Sequence, residues 1–164
     1  MFKAAVLTIS DSASKGARAD ATGPFIKDFL KGLNIFEVTK IAICPDEVYE
    51  IKKILKEWAD DENIDLVVTT GGTGLSPRDV TPEATLSVIE RQVPGMAEAI
   101  RSYGLKKTPR AMLSRGVVGI RKNTLIINLP GSKRAVKDGL EAIKEVLEHA
   151  IKKLKGDSTP CGES

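Results

Sequence analysis

At 164 residues, with 41% apolar and 29% charged side chains, the chain has the composition of one globular domain able to bury a core, and disorder is expected only at its termini. Twenty-five Lys and Arg against 22 Asp and Glu leave a net charge of +3, too little to grip a nucleic-acid backbone, and 4% aromatic residues argue against a base-stacking platform. Two cysteines, Cys44 and Cys161, stand far apart and outside any CxxC or Cys/His spacing, so neither a zinc site nor a disulfide framework is expected.

The first apolar run, residues 3–10, is short and ends in β-branched residues, as in a strand buried on both faces. It is too short for a signal sequence with a cleavage site, and no run approaches the roughly 18 apolar residues of a membrane span. A cytoplasmic protein without membrane contact is expected. Residues 11–21 are small and polar and read as a loop. Thr22-Gly23-Pro24 then opens an amphipathic helix carrying Phe25, Ile26, Phe29, Leu30 and Leu33, which ends near residues 32–34. Residues 36–44 form a second strand, which Pro45-Asp46 stops. Asp46 also reads as the cap of the next helix, whose apolar face is Val48, Ile51, Leu55 and Trp58. Residues 65–70 make a third strand. Strand, helix, strand, helix, strand implies right-handed crossovers and a parallel sheet.

Past Gly71-Gly72-Thr73-Gly74, helical signals cover residues 82–90 and 96–106, with Pro94-Gly95 and Gly104 dividing the second region. Residues 116–121 and 124–129 read as strands around Lys122-Asn123, a hairpin spacing that sends one of them antiparallel at or near the sheet edge. The longest helical stretch, residues 135–154, carries Val136, Leu140, Ile143, Leu147, Ile151 and Leu154 on one side. The expected fold is a three-layer, open, mostly parallel α/β sheet with helices on both faces and an antiparallel edge strand from the hairpin near 116–129. Residues 1–154 form its single domain and residues 155–164 a flexible tail.

Ligands in such a fold bind outside the carboxyl ends of the strands. Those ends carry Ser10-Asp11, Pro45-Asp46, Gly71 to Gly74 and Asn128-Leu129-Pro130-Gly131-Ser132. Bare glycine backbone suits an oxyanion, although a tight turn without a ligand explains the same residues. The spacing is neither a P-loop nor GxGxxG. Asp46 reads equally as a helix cap. Asp79 reads equally as a surface partner of Arg78, since Thr81 is the better cap of the following helix. His149, the lone histidine, has no candidate nucleophile or second ligand beside it.

Thr69 to Gly74 followed by Pro77-Arg78-Asp79-Val80-Thr81-Pro82-Glu83-Ala84-Thr85 resembles the signature of the molybdopterin adenylyltransferases of molybdenum cofactor biosynthesis, similar to the gephyrin G domain. Ile9-Ser10-Asp11, Pro45-Asp46-Glu47, Leu113-Ser114-Arg115 and Asn128 to Ser132 fall in that family's order, so the likeness covers roughly residues 1–152. It implies an α/β homotrimer that binds molybdopterin and ATP, transfers AMP to the pterin's terminal phosphate and works beside other proteins of that pathway. Asp46 and Asp79 would be its catalytic carboxylates and would hold Mg²⁺. Ser10, Asp11, Ser12, Gly71, Gly72, Thr73, Gly74, Arg78, Ser114, Asn128, Pro130, Gly131 and Ser132 would contribute to substrate binding. Arg78, Lys15, Arg115, Lys133 and Arg134 are the candidate cations for the nucleotide. A non-catalytic pterin carrier or trimeric assembly module is the alternative.

Overall fold

The computed structural model describes residues 1–163, arranged as a six-stranded sheet with helices on both faces. In chain order the elements are β1 (Phe2–Ile9), α1 (Asp11–Ser14), α2 (Thr22–Gly32), β2 (Phe36–Cys44), α3 (Val48–Asp60), β3 (Leu66–Thr70), α4 (Thr81–Val88), β4 (Arg91–Gln92) and α5 (Pro94–Leu105). A 3-10 turn at Pro109–Leu113, β5 (Val118–Arg121), β6 (Thr124–Leu129), α6 (Lys133–Leu154) and a last 3-10 turn at Cys161–Glu163 complete it. The strand order is β2-β1-β3-β6-β5-β4. The first four run parallel, and β5 is antiparallel to both of its neighbours.

Strand periodicity decides the layers. Ala4, Val6, Leu66, Val68, Leu125 and Ile127 face one core, closed by Ile26 and Leu30 of α2, Ile100 of α5 and Val136, Leu140 and Ile143 of α6. The residues between them, Ala5, Leu7, Val67 and Ile126, face a second core under Ile51, Leu55 and Trp58 of α3 and Ala84 and Val88 of α4. Both faces of β1, β3 and β6 are therefore buried, which is why these strands read as unbroken apolar runs. At the edge, Val38 pairs with Ala4 and Lys40 with Ala5, leaving Thr39 as a bulge of the kind that discourages pairing with another strand.

The hairpin expectation holds, but β4, only two residues long, takes the outermost position beyond β5. Three local readings change. Residues 11–14 are a short helix rather than a loop, because the Ser10 hydroxyl accepts a hydrogen bond from the Ala13 amide and caps it. Pro94 does not divide α5 but starts it, at a position where its missing N–H costs nothing. Gly104 stays inside that helix, because a Cβ there would lie 2.8 Å from Ala111 of the adjoining 3-10 turn. After α6, the Asp157 amide donates to Lys152 O at 3.0 Å, and the Lys153 ammonium donates to Asp157 O and Thr159 O. Of the tail expected over 155–164, Ser164 lies outside the described residues.

Candidate active site

The chain leaves β1 for β2 on one side and returns across β1 to β3 on the other, so the crevice between the carboxyl ends of β1 and β3 is a topological switch point. The glycine turn that follows β3 sits there. Gly71 has φ +99°, and a Cβ on it would stand 2.2 Å from the Ile9 carbonyl oxygen. Gly72 has φ +68°, with the Thr81 hydroxyl 2.2 Å from where its Cβ would be. Both glycines are thus required by the protein's own packing. The Gly71 amide donates to Leu129 O at 3.0 Å, which removes it from the candidate ligand donors. Thr81, expected as a helix cap, is instead fully buried inside the first turn of α4; its amide donates to Gly72 O and its hydroxyl to Gly71 O.

Three aspartates gather around this turn. The Asp11 amide donates to Asp46 Oδ2 at 2.9 Å, and the Asp46 amide donates back to Asp11 Oδ1 at 3.0 Å. This exchange locks the loop after β1 to the loop after β2. Asp46 therefore does not cap α3: Glu47 holds the cap position, and its side chain makes no capping hydrogen bond to the helix. Burial pushes the Asp46 carboxyl above its ordinary range; the Asp11 and Asp79 charges add to that rise, while the Asp11 amide and Arg78 oppose it. The Arg78 guanidinium donates to both oxygens of Asp11 and to Glu47, holding Asp11 below the usual carboxylate range. Asp79 is not Arg78's partner. Its Oδ2 accepts from the Ser76 amide at 3.0 Å, and Gly74 lets the loop pass, since a Cβ there would lie 2.8 Å from the same oxygen.

Two clefts open on the sheet edge and meet here. The larger, about 640 Å³, runs between the glycine turn, α5, the 3-10 turn and the start of α6, with Ile100, Ala111 and Leu113 as apolar wall and Arg101, Arg110 and Arg134 as cations. The smaller, about 250 Å³, lies over β1 and is lined by Ser10, Arg18, Asp20, Thr22, Asp46 and Thr70. Gly72, Asp79 and Gly131 border both.

Of the residues expected in the site, Ser10, Asp46 and Gly71 line the smaller cleft, and Thr73, Gly74, Ser114, Pro130 and Ser132 line the larger. The Ser132 hydroxyl already accepts from the Ala135 amide as the cap of α6. Asp11 and Arg78 line neither cleft but hold Asp46 of the smaller one, Asp11 directly and Arg78 through Asp11, and the Ser12 hydroxyl lies 3.2 Å from that of Ser10. Asn128 is not brought to either cleft: it is 2% exposed, donates to the Thr69 and Thr85 hydroxyls and accepts from the Val117 amide. Lys15 and Lys133 also stand outside, Lys133 over the Phe25 ring. Sequence reasoning missed Arg18, Arg101 and Arg110. They stand on a loop, mid-helix and in a 3-10 turn, where spacing carries no signal of a shared cleft.

The geometry defines an α/β protein with a paired, aspartate-centred cleft at the carboxyl edge of its sheet. The model of the family described as probable molybdopterin binding domain matches residues 5–149, and the chain belongs to that family. It is 42% identical over 154 residues to the molybdenum cofactor synthesis protein cinnamon of Drosophila melanogaster, covering 93% of this chain but only 25% of that protein's length. It is 42% identical to the molybdopterin adenylyltransferase of Haemophilus influenzae, over 88% of this chain and 74% of the relative. Among solved structures it is similar to the molybdopterin biosynthesis enzyme MoaB of Thermus thermophilus, with a TM-score of 0.89 and 50% identity over 95% of this chain and 98% of that one.

Proposed function

We propose that the chain is a molybdopterin adenylyltransferase, which transfers AMP from ATP to the terminal phosphate of molybdopterin and releases pyrophosphate. The observation that carries this reading is the meeting of two clefts at Asp79, Gly72 and Gly131. A transfer between two substrates needs both held with their reacting atoms in contact, and two clefts that meet allow this with the reacting phosphorus at the junction. The Haemophilus relative bears the name of that activity.

The nucleophile is a phosphate monoester whose second pKa lies near 6, so at neutral pH it is already largely dianionic and needs no general base. One of its oxygens bonds to the α-phosphorus as the bond to the pyrophosphate oxygen breaks. What the protein must supply is position and compensation of charge. The Thr73 and Gly74 amides, without acceptors among the described residues, and the Arg101, Arg110 and Arg134 side chains of the larger cleft are suited to the phosphate oxygens. Asp46 and Asp79 fit a role in holding Mg²⁺. Each has one oxygen taken by a backbone amide and the other, Oδ1, without a hydrogen-bond partner among the described residues. Two such carboxylate oxygens match an ion that binds through one or two carboxylates plus substrate phosphates. Bound there, Mg²⁺ supplies charge neutralisation between the carboxylates and the phosphates.

No helix among the described residues is long and apolar enough to cross a membrane. A cytoplasmic homotrimer, built from one domain over residues 1–154 and working with other proteins of molybdenum cofactor synthesis, completes the proposal. Purified protein mixed with molybdopterin and Mg-ATP should yield adenylated pterin and pyrophosphate. Asp79→Ala and Asp46→Ala should each fold and lose at least about tenfold in turnover, equal to ~1.4 kcal/mol of transition-state stabilisation. Pterin binding without pyrophosphate release would identify a carrier instead.

A further inference from the structure

Arg115 was a candidate contact for the nucleotide, yet it lines neither cleft, and its hydrogen bonds run to the protein. Its amide donates to Thr73 O at 2.9 Å, Nε to Gly74 O at 2.8 Å, Nη2 to Asp79 O at 2.7 Å and Nη1 to Glu83 Oε2 at 2.7 Å. One side chain thus spans both ends of the 74–79 loop and the first turn of α4. The loop has little else to fix it. Leu75, Ser76, Pro77 and Arg78 are all exposed, Leu75 at 65%, so no packing holds them. Within the loop the Asp79 amide donates to Ser76 O and the Ser76 amide to Asp79 Oδ2, which shapes the turn but does not attach it to the sheet. The Arg78 ion pairs lie on the surface, where such pairs hold weakly.

We propose that Arg115 is a positioning residue for Asp79: it acts through the Gly74 and Asp79 carbonyls to set where that carboxylate stands between the two clefts, and does not itself touch substrate. This rests on the adenylyl-transfer reading. The segment that carries Arg115 is anchored in turn, because Arg101 of α5 donates to Ser114 O and Gly116 O at 3.3 and 2.8 Å. A planar guanidinium can meet three acceptors in different directions; a lysine ammonium on a flexible stem cannot hold the same fork.

The test combines Arg115→Ala, Arg115→Lys, Asp79→Asn and the double variant Arg115→Ala/Asp79→Asn, assayed with molybdopterin and Mg-ATP, with hydrogen exchange measured along the chain. Both Arg115 variants should lower kcat at least about tenfold while the KM for ATP stays within about threefold. The double variant should be no slower than Asp79→Asn alone, since position 115 has nothing to contribute once the carboxylate is gone. Amides of residues 74–80 should exchange faster in Arg115→Ala while those of α6 keep their protection. A raised KM for ATP, or recovery of activity with lysine, would show a direct phosphate contact and overturn the proposal. Additive losses in the double variant would show a role unrelated to Asp79 and do the same. If the wild type forms no adenylated pterin, the functional reading fails by itself; hydrogen exchange then still decides the clamp, which unchanged exchange over 74–80 would sink.

Discussion

The Asp46 carboxyl is the residue at which stability and activity oppose each other. Its folded pKa lies above the ordinary value because of burial first, then the neighbouring Asp11 and Asp79 charges. The folded state therefore binds a proton more tightly than the unfolded chain. That stabilisation is present below the ordinary carboxylate range and is lost as pH rises through the folded value, so at neutral pH the ionised group works against folding. Asp46→Asn keeps an acceptor for the Asp11 amide and removes the charge. Its thermal unfolding midpoint at pH 7 should exceed the wild type's, the difference should shrink on acidification toward pH ~3, and adenylyl transfer should fall at least about tenfold. A midpoint at or below the wild type's at pH 7 would mean that the repulsion is already relieved. Asp11, next to it, shifts the opposite way because Arg78 holds its charged form.

Among the elements, the turn between β3 and α4 is the one whose sequence is most constrained by the rest of the fold. Gly71 stands at φ +99°, where an L-side chain is strained, and its absent Cβ makes room for the Ile9 carbonyl of β1. Backbone cannot move aside as a flexible side chain can. Gly71→Ala should therefore cost at least about 2 kcal/mol, readable as a lowered midpoint in urea, and should remove activity with it because β1 and the turn both border the smaller cleft. The same turn shows why its sequence admitted two readings. A glycine needed for close packing and a glycine needed for ligand approach look identical in a single chain; here the missing side chains of Gly71 and Gly72 make room for Ile9 and Thr81, while their backbone also borders the clefts.

At the scale of the molecule, the chain's two ends are tied across the sheet. Asp65, 6% exposed at the start of β3, accepts from the Lys3 amide and from the Lys155 ammonium, each at 2.8 Å, so the end of α6 is fastened to β1 and β3. Lys155 is half exposed and also lies over the Phe2 ring, but Asp65 is buried, so Lys155→Met, which leaves that carboxylate without its cation, should cost about 1–3 kcal/mol in urea unfolding, without loss of adenylyl transfer. A larger loss would make this tie a main support of the fold. What the sequence determined by itself was the order of the main strands and helices, without α1 and β4, the mostly parallel sheet and the four loops at one edge. Those follow from apolar periodicity and from glycine and proline punctuation, which act between near neighbours in the chain. Tertiary structure alone decided that Asp46 meets Asp11 rather than capping α3, that Asn128 stands behind the site, that Thr81 is buried under the glycine turn and that Arg115 faces carbonyls. Arg18, Arg101 and Arg110 likewise reach the clefts only through folding. Each of these depends on contacts between residues distant in the chain, and local propensity holds no information about which partner the folded backbone brings within hydrogen-bonding distance.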